Sequence, residues 1–311
     1  MALQEMDISW QVLRRIVQEW AGTAAELSEV KSLVGGCINT TLALFTKDGT
    51  RAVIKISPHR VNRDYMRESM QLELLRDVGL PVPKVYAWRI ATLDDPHSYL
   101  LMEYVDGMDL GTAKKQCTPE QWDDVQRHLA DLVLRMHDRT AEQYFRVAEE
   151  NGPRFDSWPK FYRYVYDPIL DEVTKTVALP VKIKKQLGKI HERLERLIVH
   201  EDRPRLTHWD IWATNILAGP DETGKWQIKA MLDPMCKYAH AEAEVAYMEM
   251  FHTITPTFMK EYQKTHRLGN GYHQVRKWIY EMYPLLNHVR LFGQGYVKPL
   301  IAAVEKAGTL V

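Results

Sequence analysis

Leu206–Leu217 reads LTHWDIWATNIL, and a short hairpin later Met231–Pro234 reads MLDP. Together they set His208, Asp210, Asn215 and Asp233 in a fixed order: a carboxylate, an amide after four intervening residues, and a second carboxylate at a strand end. A carboxylate within reach of a hydroxyl can accept its proton. An amide oxygen and another carboxylate are hard oxygen donors suited to Mg²⁺. That combination is what phosphoryl transfer from ATP requires, which makes Asp210 the candidate catalytic residue and Asn215 and Asp233 the candidate metal ligands. His208, beside the catalytic Asp, is read as orienting the loop rather than performing chemistry.

The surrounding chain fits a small-molecule enzyme. Its 311 residues, 45% hydrophobic and 26% charged, can bury a sizeable core in one large domain or two lobes. Lys plus Arg equals Asp plus Glu at 41 each, so there is no electrostatic reason to expect nucleic acid or an anionic membrane as partner. Cys37, Cys117 and Cys236 are widely separated and form no metal or disulfide framework, which points to a reducing compartment. MALQEMDISW has no basic segment leading into an apolar run, and no stretch approaches membrane-span length; the expected location is cytoplasmic.

Upstream, Ile8, Val12, Ile16 and Trp20 form a helical stripe over Ile8–Ala21. The period then changes to two. Val30–Val34, Thr41–Thr46 and Ala52–Ser57 read as strands, with Lys47-Asp48-Gly49 turning between the second and third. Gly35-Gly36-Cys37-Ile38-Asn39 separates the first two, and paired glycines there let backbone approach phosphate oxygens. In AVIKIS, alternation puts Lys55 on the face opposite Ile54 and Ile56, so an ammonium faces the cleft when the isoleucines face the core. Its carboxylate partner would come from the helical Val61–Val78 segment, as Glu68 or Glu73. Val85–Ile90 and Ser98–Val105 are two further strands; the second leaves the first lobe with the Glu103 carbonyl and the Val105 amide placed for adenine. From Thr118 the helical period takes over, with an N-cap at Thr118 and a stripe of Trp122, Val125, Leu129, Leu132, Val133 and Met136. Aromatic-rich Asp156–Val173 and amphipathic Val181–Val199 continue the helical half.

Glycine turn, strand Lys, helix Glu, hinge, HxD-x4-N and strand-end Asp, in this order, resemble the aminoglycoside phosphotransferase and choline kinase branch of the protein-kinase-like fold. The finer resemblance is to the fructosamine-3-kinase (ketosamine kinase) family. It rests on the GGCIN turn, the DIWATN run, LDPMCKYAHAEAEVAYMEMF at Leu232–Phe251 and YPLLNHVRLFGQGY at Tyr283–Tyr296. Three positions depart from that family's pattern. Trp209 stands where a Gly is usual, Ala239 replaces another Gly, and Glu244 replaces an Asp. The family's Phe-Gly and Thr-Pro-Gln stretch between His137 and Trp158 is also missing.

The resemblance implies an α+β fold of two lobes: a small antiparallel-sheet nucleotide-binding lobe with one main helix over residues 1–105, and a larger, mostly helical catalytic lobe over 106–311. It implies ATP and Mg²⁺ as cofactors and a sugar hydroxyl, most closely that of a ketosamine, as acceptor. Alternatives are an aminoglycoside, amino-alcohol or free-sugar kinase of the same fold, and a nucleotide-binding module without catalysis. It favours Glu68 over Glu73, because Arg67-Glu68 stands thirteen residues before Pro81 as in the family. By the same resemblance Gly35 and Gly36 cover the phosphates, and Trp212, His288 and Glu242 meet the acceptor. Cys37 is then a redox candidate, able to link two first lobes through an intermolecular disulfide, and the expected state is a monomer or a homodimer.

Overall fold

The computed structural model describes residues 8–33, 40–58, 65–200 and 202–309. Gly35, Gly36 and Cys37 lie outside them. In chain order the elements are α1 (Trp10–Ala21), β1 (Leu27–Ser32), β2 (Thr40–Thr46), β3 (Arg51–Pro58), α2 (Tyr65–Asp77), β4 (Val85–Arg89), β5 (His97–Glu103), β6 (Met108–Asp109) and α3 (Leu110–Gln116). There follow α4 (Pro119–Asp138), β7 (Phe145–Arg146), α5 (Trp158–Thr176), α6 (Val181–Leu197), β8 (Arg205–Thr207), β9 (Ile216–Pro220), β10 (Trp226–Met231) and β11 (Lys237–Ala239). The chain closes with α7 (Ala241–Met250), α8 (Pro256–Tyr262), α9 (Lys277–Phe292) and α10 (Val297–Gly308). It divides into two compact units, Met1–Gln121 with Thr214–Pro234, and Trp122–Ala213 with Met235–Val311.

The first unit is built on an antiparallel sheet in the order β1-β2-β3-β5-β4. Alternation along β2 and β3 sends Leu42, Leu44, Ile54 and Ile56 to one face, where they form a core with Leu13, Ile16 and Val17 of α1. The buried stripe of α1 centres on Leu13, Ile16 and Val17, one position round from the sequence expectation, and leaves Val12 and Trp20 half-buried at its edge. Packing rather than period sets that rotation, since a helix on a twisted sheet buries whichever stripe the sheet faces. Lys55, opposite Thr41 and Leu100 in the register, takes the other face. The β9/β10 hairpin completes this unit, pairing Met231 with Ile216. Its turn is fixed by the Asp221 carboxylate, which accepts from the Thr223 and Lys225 amides, and by Gly224 at φ 82°.

The second unit is mostly helical. Thr118 and Gln121 make reciprocal side-chain bonds at the start of α4, the cap expected from sequence. From Val125 onward, Leu129, Leu132, Val133 and Met136 are buried, while Trp122 is half-buried. The aromatics of α5 pack inward: Trp158, Phe161, Tyr162 and Tyr166 are each at most 1% exposed. A small sheet, β7-β11-β8, carries the chain into and out of the His208–Asp210 loop. Met235 N–H donates to the His208 carbonyl at 2.9 Å, and Thr207 Oγ1 donates to the Lys237 carbonyl at 2.9 Å, which ties the loop to β11.

Candidate functional site

In the first unit the face of the sheet bearing Lys55 lines a cavity of about 540 Å³. Lys55 is only 5% exposed, and its ammonium donates to Glu68 Oε1 at 2.5 Å and to Asp233 Oδ1. Burial alone would disfavour its charge, but the two carboxylates outweigh burial and hold its pKa above the usual lysine value. Glu73 is exposed and does not line the cavity, so the structure gives Lys55 the partner that the family resemblance favoured. Asn215 and Asp233 sit at the open end of one hairpin: Leu232 N–H donates to the Asn215 carbonyl at 2.8 Å, so strand pairing brings together residues 18 positions apart. Asp233 lies at φ 56°, a left-handed conformation that Asp tolerates. Glu103, Val105 and Gly107 line the same cavity. Gly107 passes close to the hairpin: a Cβ there would stand 3.1 Å from Leu217 Cβ, a tight contact.

A second hollow, of about 50 Å³, lies in the second unit beside Asp210. Its walls include Trp209, Glu244, Tyr247, Tyr283 and His288. Tyr247 donates its hydroxyl to Asp210 Oδ1 at 2.5 Å; burial and the Asp210 carboxylate push the phenol pKa far up, so Tyr247 keeps its proton and acts as donor. Trp209 has φ 69°, which costs a bulky L-residue about 1–2 kcal/mol. Its N–H donates to Glu244 Oε1 at 2.5 Å, and the other Glu244 oxygen bonds His137 Nε2 at 2.8 Å. His137 Nδ1 meets the Tyr262 hydroxyl at 2.8 Å. This buried chain from α8 through α4 to α7 fixes the backbone one residue before Asp210. Lys237 is 3% exposed; it donates to the Met235 carbonyl at 3.0 Å and lies 4.5 Å over the Trp209 ring. Burial pulls its pKa down to about 7, with the Arg146 charge adding in the same direction.

Of the acceptor-side candidates, His288 lines this hollow, with Nδ1 on the Pro284 carbonyl at 2.7 Å. Trp212 and Glu242 do not. The Trp212 ring packs 5.8 Å from Phe251. Glu242 is 5% exposed and is taken up by Arg276, accepting from its Nε at 2.6 Å and its Nη2 at 2.8 Å, and by the Gly269 amide at 2.7 Å. Tyr247, Lys237 and His137 were not singled out from sequence. Their partners lie 37, 28 and 107 positions away, and no local period marks such contacts. The only signal for Glu244 was its replacement of an Asp.

A profile of the fructosamine kinase family matches residues 9–307. The "Probable ketoamine kinase YniA" of Escherichia coli (strain K12) is 25% identical over 291 residues, covering 91% of this chain and 94% of that protein. The chloroplastic protein-ribulosamine 3-kinase of Oryza sativa subsp. japonica is 23% identical over 304 residues, covering 93% and 82%. Among solved structures, aminoglycoside phosphotransferase APH(4)-Ia in ternary complex with AMP-PNP and hygromycin B superposes with a TM-score of 0.67 at 13% identity, covering 96% of this chain and 99% of that one. The expected fold is borne out: an antiparallel-sheet unit with a mostly helical remainder, in the kinase-like class of folds that includes the aminoglycoside phosphotransferases. Within that class, the chain belongs to the fructosamine kinase family. Among the described residues, no helix is long and apolar enough to cross a membrane.

Proposed function

We propose that this enzyme transfers the γ-phosphoryl group of ATP to a sugar hydroxyl of a ketosamine. The observation that carries the reading is the Lys55–Glu68–Asp233 cluster on the wall of a cavity spacious enough for a nucleotide, with Asn215 and the Glu103–Val105 segment on the same wall. Lys55 neutralises the α- and β-phosphates, and Glu68 holds its ammonium in place. The Glu103 carbonyl and Val105 amide meet adenine, and Gly35 and Gly36 are assigned to the phosphates on their sequence alone. The donor chemistry of Asn215 and Asp233, an amide oxygen and a carboxylate at one hairpin mouth, fits Mg²⁺; when bound there, the ion would offset charge on the phosphate oxygens. Residues 1–105, together with the Asn215–Asp233 hairpin, serve the nucleotide, and the rest of residues 106–311 carries the catalytic and acceptor-binding groups.

Asp210 accepts or orients the acceptor's hydroxyl proton, and the Tyr247 hydroxyl, donating to Oδ1, positions the carboxylate for that task. The ketoamine and ribulosamine kinase names of the relatives support a sugar amine as acceptor. The dispersed cysteines support a reducing, cytoplasmic setting. Redox linkage through Cys37 is checked on non-reducing gels: a reductant-sensitive dimer in wild type, lost in Cys37→Ser, supports it, and identical bands exclude it.

The test of the reaction is ADP release over fructosyl-amines, ribulosyl-amines, aminoglycosides and simple sugars, for wild type and Asp210→Asn. Turnover of ketosamines that drops by about 10²–10⁴-fold in the variant is expected. Wild-type rates in Asp210→Asn would remove that residue as base, and turnover of aminoglycosides alone would remove the ketosamine assignment.

A further inference from the structure

The left-handed backbone at Trp209 places an indole where only glycine is at ease, and that indole forms a wall of the hollow beside Asp210. Strain of this kind persists only where the surroundings over-determine it. Here they do so twice. The backbone is pinned by Glu244, a carboxylate with no exposed surface that also holds His137. The ring is pinned between the edges of Trp158, at 6.3 Å and 68°, and Tyr283, at 5.8 Å and 65°, with the Lys237 amine 4.5 Å over its face. The indole therefore cannot swing aside to admit a larger acceptor without breaking a buried set of contacts.

What remains open beside Asp210 is about 50 Å³. One water needs roughly 10–15 Å³ on the same measure, so the part of the hollow against Trp209 has room for only a few acceptor atoms. The hydroxyl that reacts must reach Asp210, so acceptor carbons that enter the hollow beside it meet the Trp209 indole.

We propose that Trp209 is the specificity-determining residue of the acceptor pocket, limiting the enzyme to sugar amines with a short sugar chain and rejecting those with further hydroxymethyl carbons. This rests on the ketosamine reading above. The discriminating group is the indole itself, because Tyr162 and Tyr280 belong to the packed core of α5 and α9, where the Tyr162 hydroxyl donates to the Ile279 carbonyl, whereas Tyr283 packs on the indole and moves with it.

The experiment compares tetrose-, pentose- and hexose-derived ketosamines of one small amine, reading the hexose-to-tetrose ratio of kcat/KM in wild type, Trp209→Gly and Trp209→Phe. Glycine suits φ 69°, so the first variant is expected to fold; a thermal melt and the affinity for an ATP analogue check that. One added methylene against a fixed apolar wall discriminates by about 10–200-fold, so two added carbons should make wild type favour the tetrose derivative about 100-fold, and Trp209→Gly should bring the ratio within about 5-fold of unity. Trp209→Phe should fall between, and it decides the matter if the glycine variant does not fold. An unchanged ratio in a folded variant, or a wild type indifferent to chain length, overturns the inference and leaves the ketosamine reading standing. A wild type that phosphorylates none of the three overturns both.

Discussion

Removing the Glu244 side chain should loosen the Asp210 loop without touching Asp210. In the folded protein the Glu244 carboxylate has no exposed surface and accepts two bonds, from Trp209 N–H at 2.5 Å and from His137 Nε2 at 2.8 Å. Glu244→Ala leaves a fully buried imidazole N–H and a partly buried amide without acceptors. An orphaned buried donor costs about 1–3 kcal/mol, and the two together put the loss near 3 kcal/mol once the partial exposure of Trp209 is allowed for. In a chain of this size that lowers the melting temperature on the order of 6–12 °C. Glu244→Gln should behave differently. Its amide oxygen can still accept from Trp209 N–H, and its NH2 can donate to Nε2 if His137 changes tautomer and the Tyr262 hydroxyl turns round to accept from Nδ1. The expected loss is about 1 kcal/mol. Calorimetry or urea denaturation of the three proteins, with KM for the acceptor alongside, reads both effects. If alanine and glutamine cost the same, or alanine costs less than about 1 kcal/mol, the two-donor account of Glu244 is wrong.

Three further outcomes follow from the same geometry. Tyr247→Phe removes the donor to Asp210 and should lower kcat about 10-fold with KM for ATP unchanged; a change confined to KM for ATP would refute its role as a positioning residue for Asp210. Lys55→Met leaves the Glu68 and Asp233 carboxylates facing each other without a cation, and kcat/KM for ATP should fall at least about 100-fold in steady-state assays; near-normal values would argue against phosphate contact at Lys55. Acid should destabilise the fold. Burial lowers the His200 pKa from 6.5 to about 4, and its stacking partner His240, 3.5 Å away, is shifted in the same direction by burial and by the His200 charge. The unfolded chain binds protons that these histidines refuse in the folded chain, so the His200 contribution is constant above about pH 6.5 and stability is lost as pH drops towards 4, by about 2 kcal/mol for His200 after allowing for its partial exposure. Urea midpoints at pH 7.5 and 4.5 should show the loss in wild type and less of it in His200→Phe.

Sequence by itself determined the reaction class and the ordering of the machinery. The HxD-x4-N spacing fixes which groups occupy one loop, and the two-residue period of AVIKIS fixes that Lys55 leaves the core face, since Ile54 and Ile56 must enter it. Both are local constraints that chain geometry imposes at short range. The hairpin reading was equally local, and it is what unites Asn215 with Asp233. Bare periodicity could not choose between Glu68 and Glu73. They lie five positions apart on one helix, about 140° round its axis, and only docking of α2 in the first unit shows that Glu68 faces Lys55. Nor could it show that Glu242 is spent on Arg276, or that Tyr247 caps Asp210, because those contacts join residues 34 and 37 positions apart. Trp209 was legible as a departure from pattern. Its left-handed backbone, its Glu244 clamp and its place on the pocket wall were decided by tertiary packing, which alone can hold a large side chain where local energetics would put glycine.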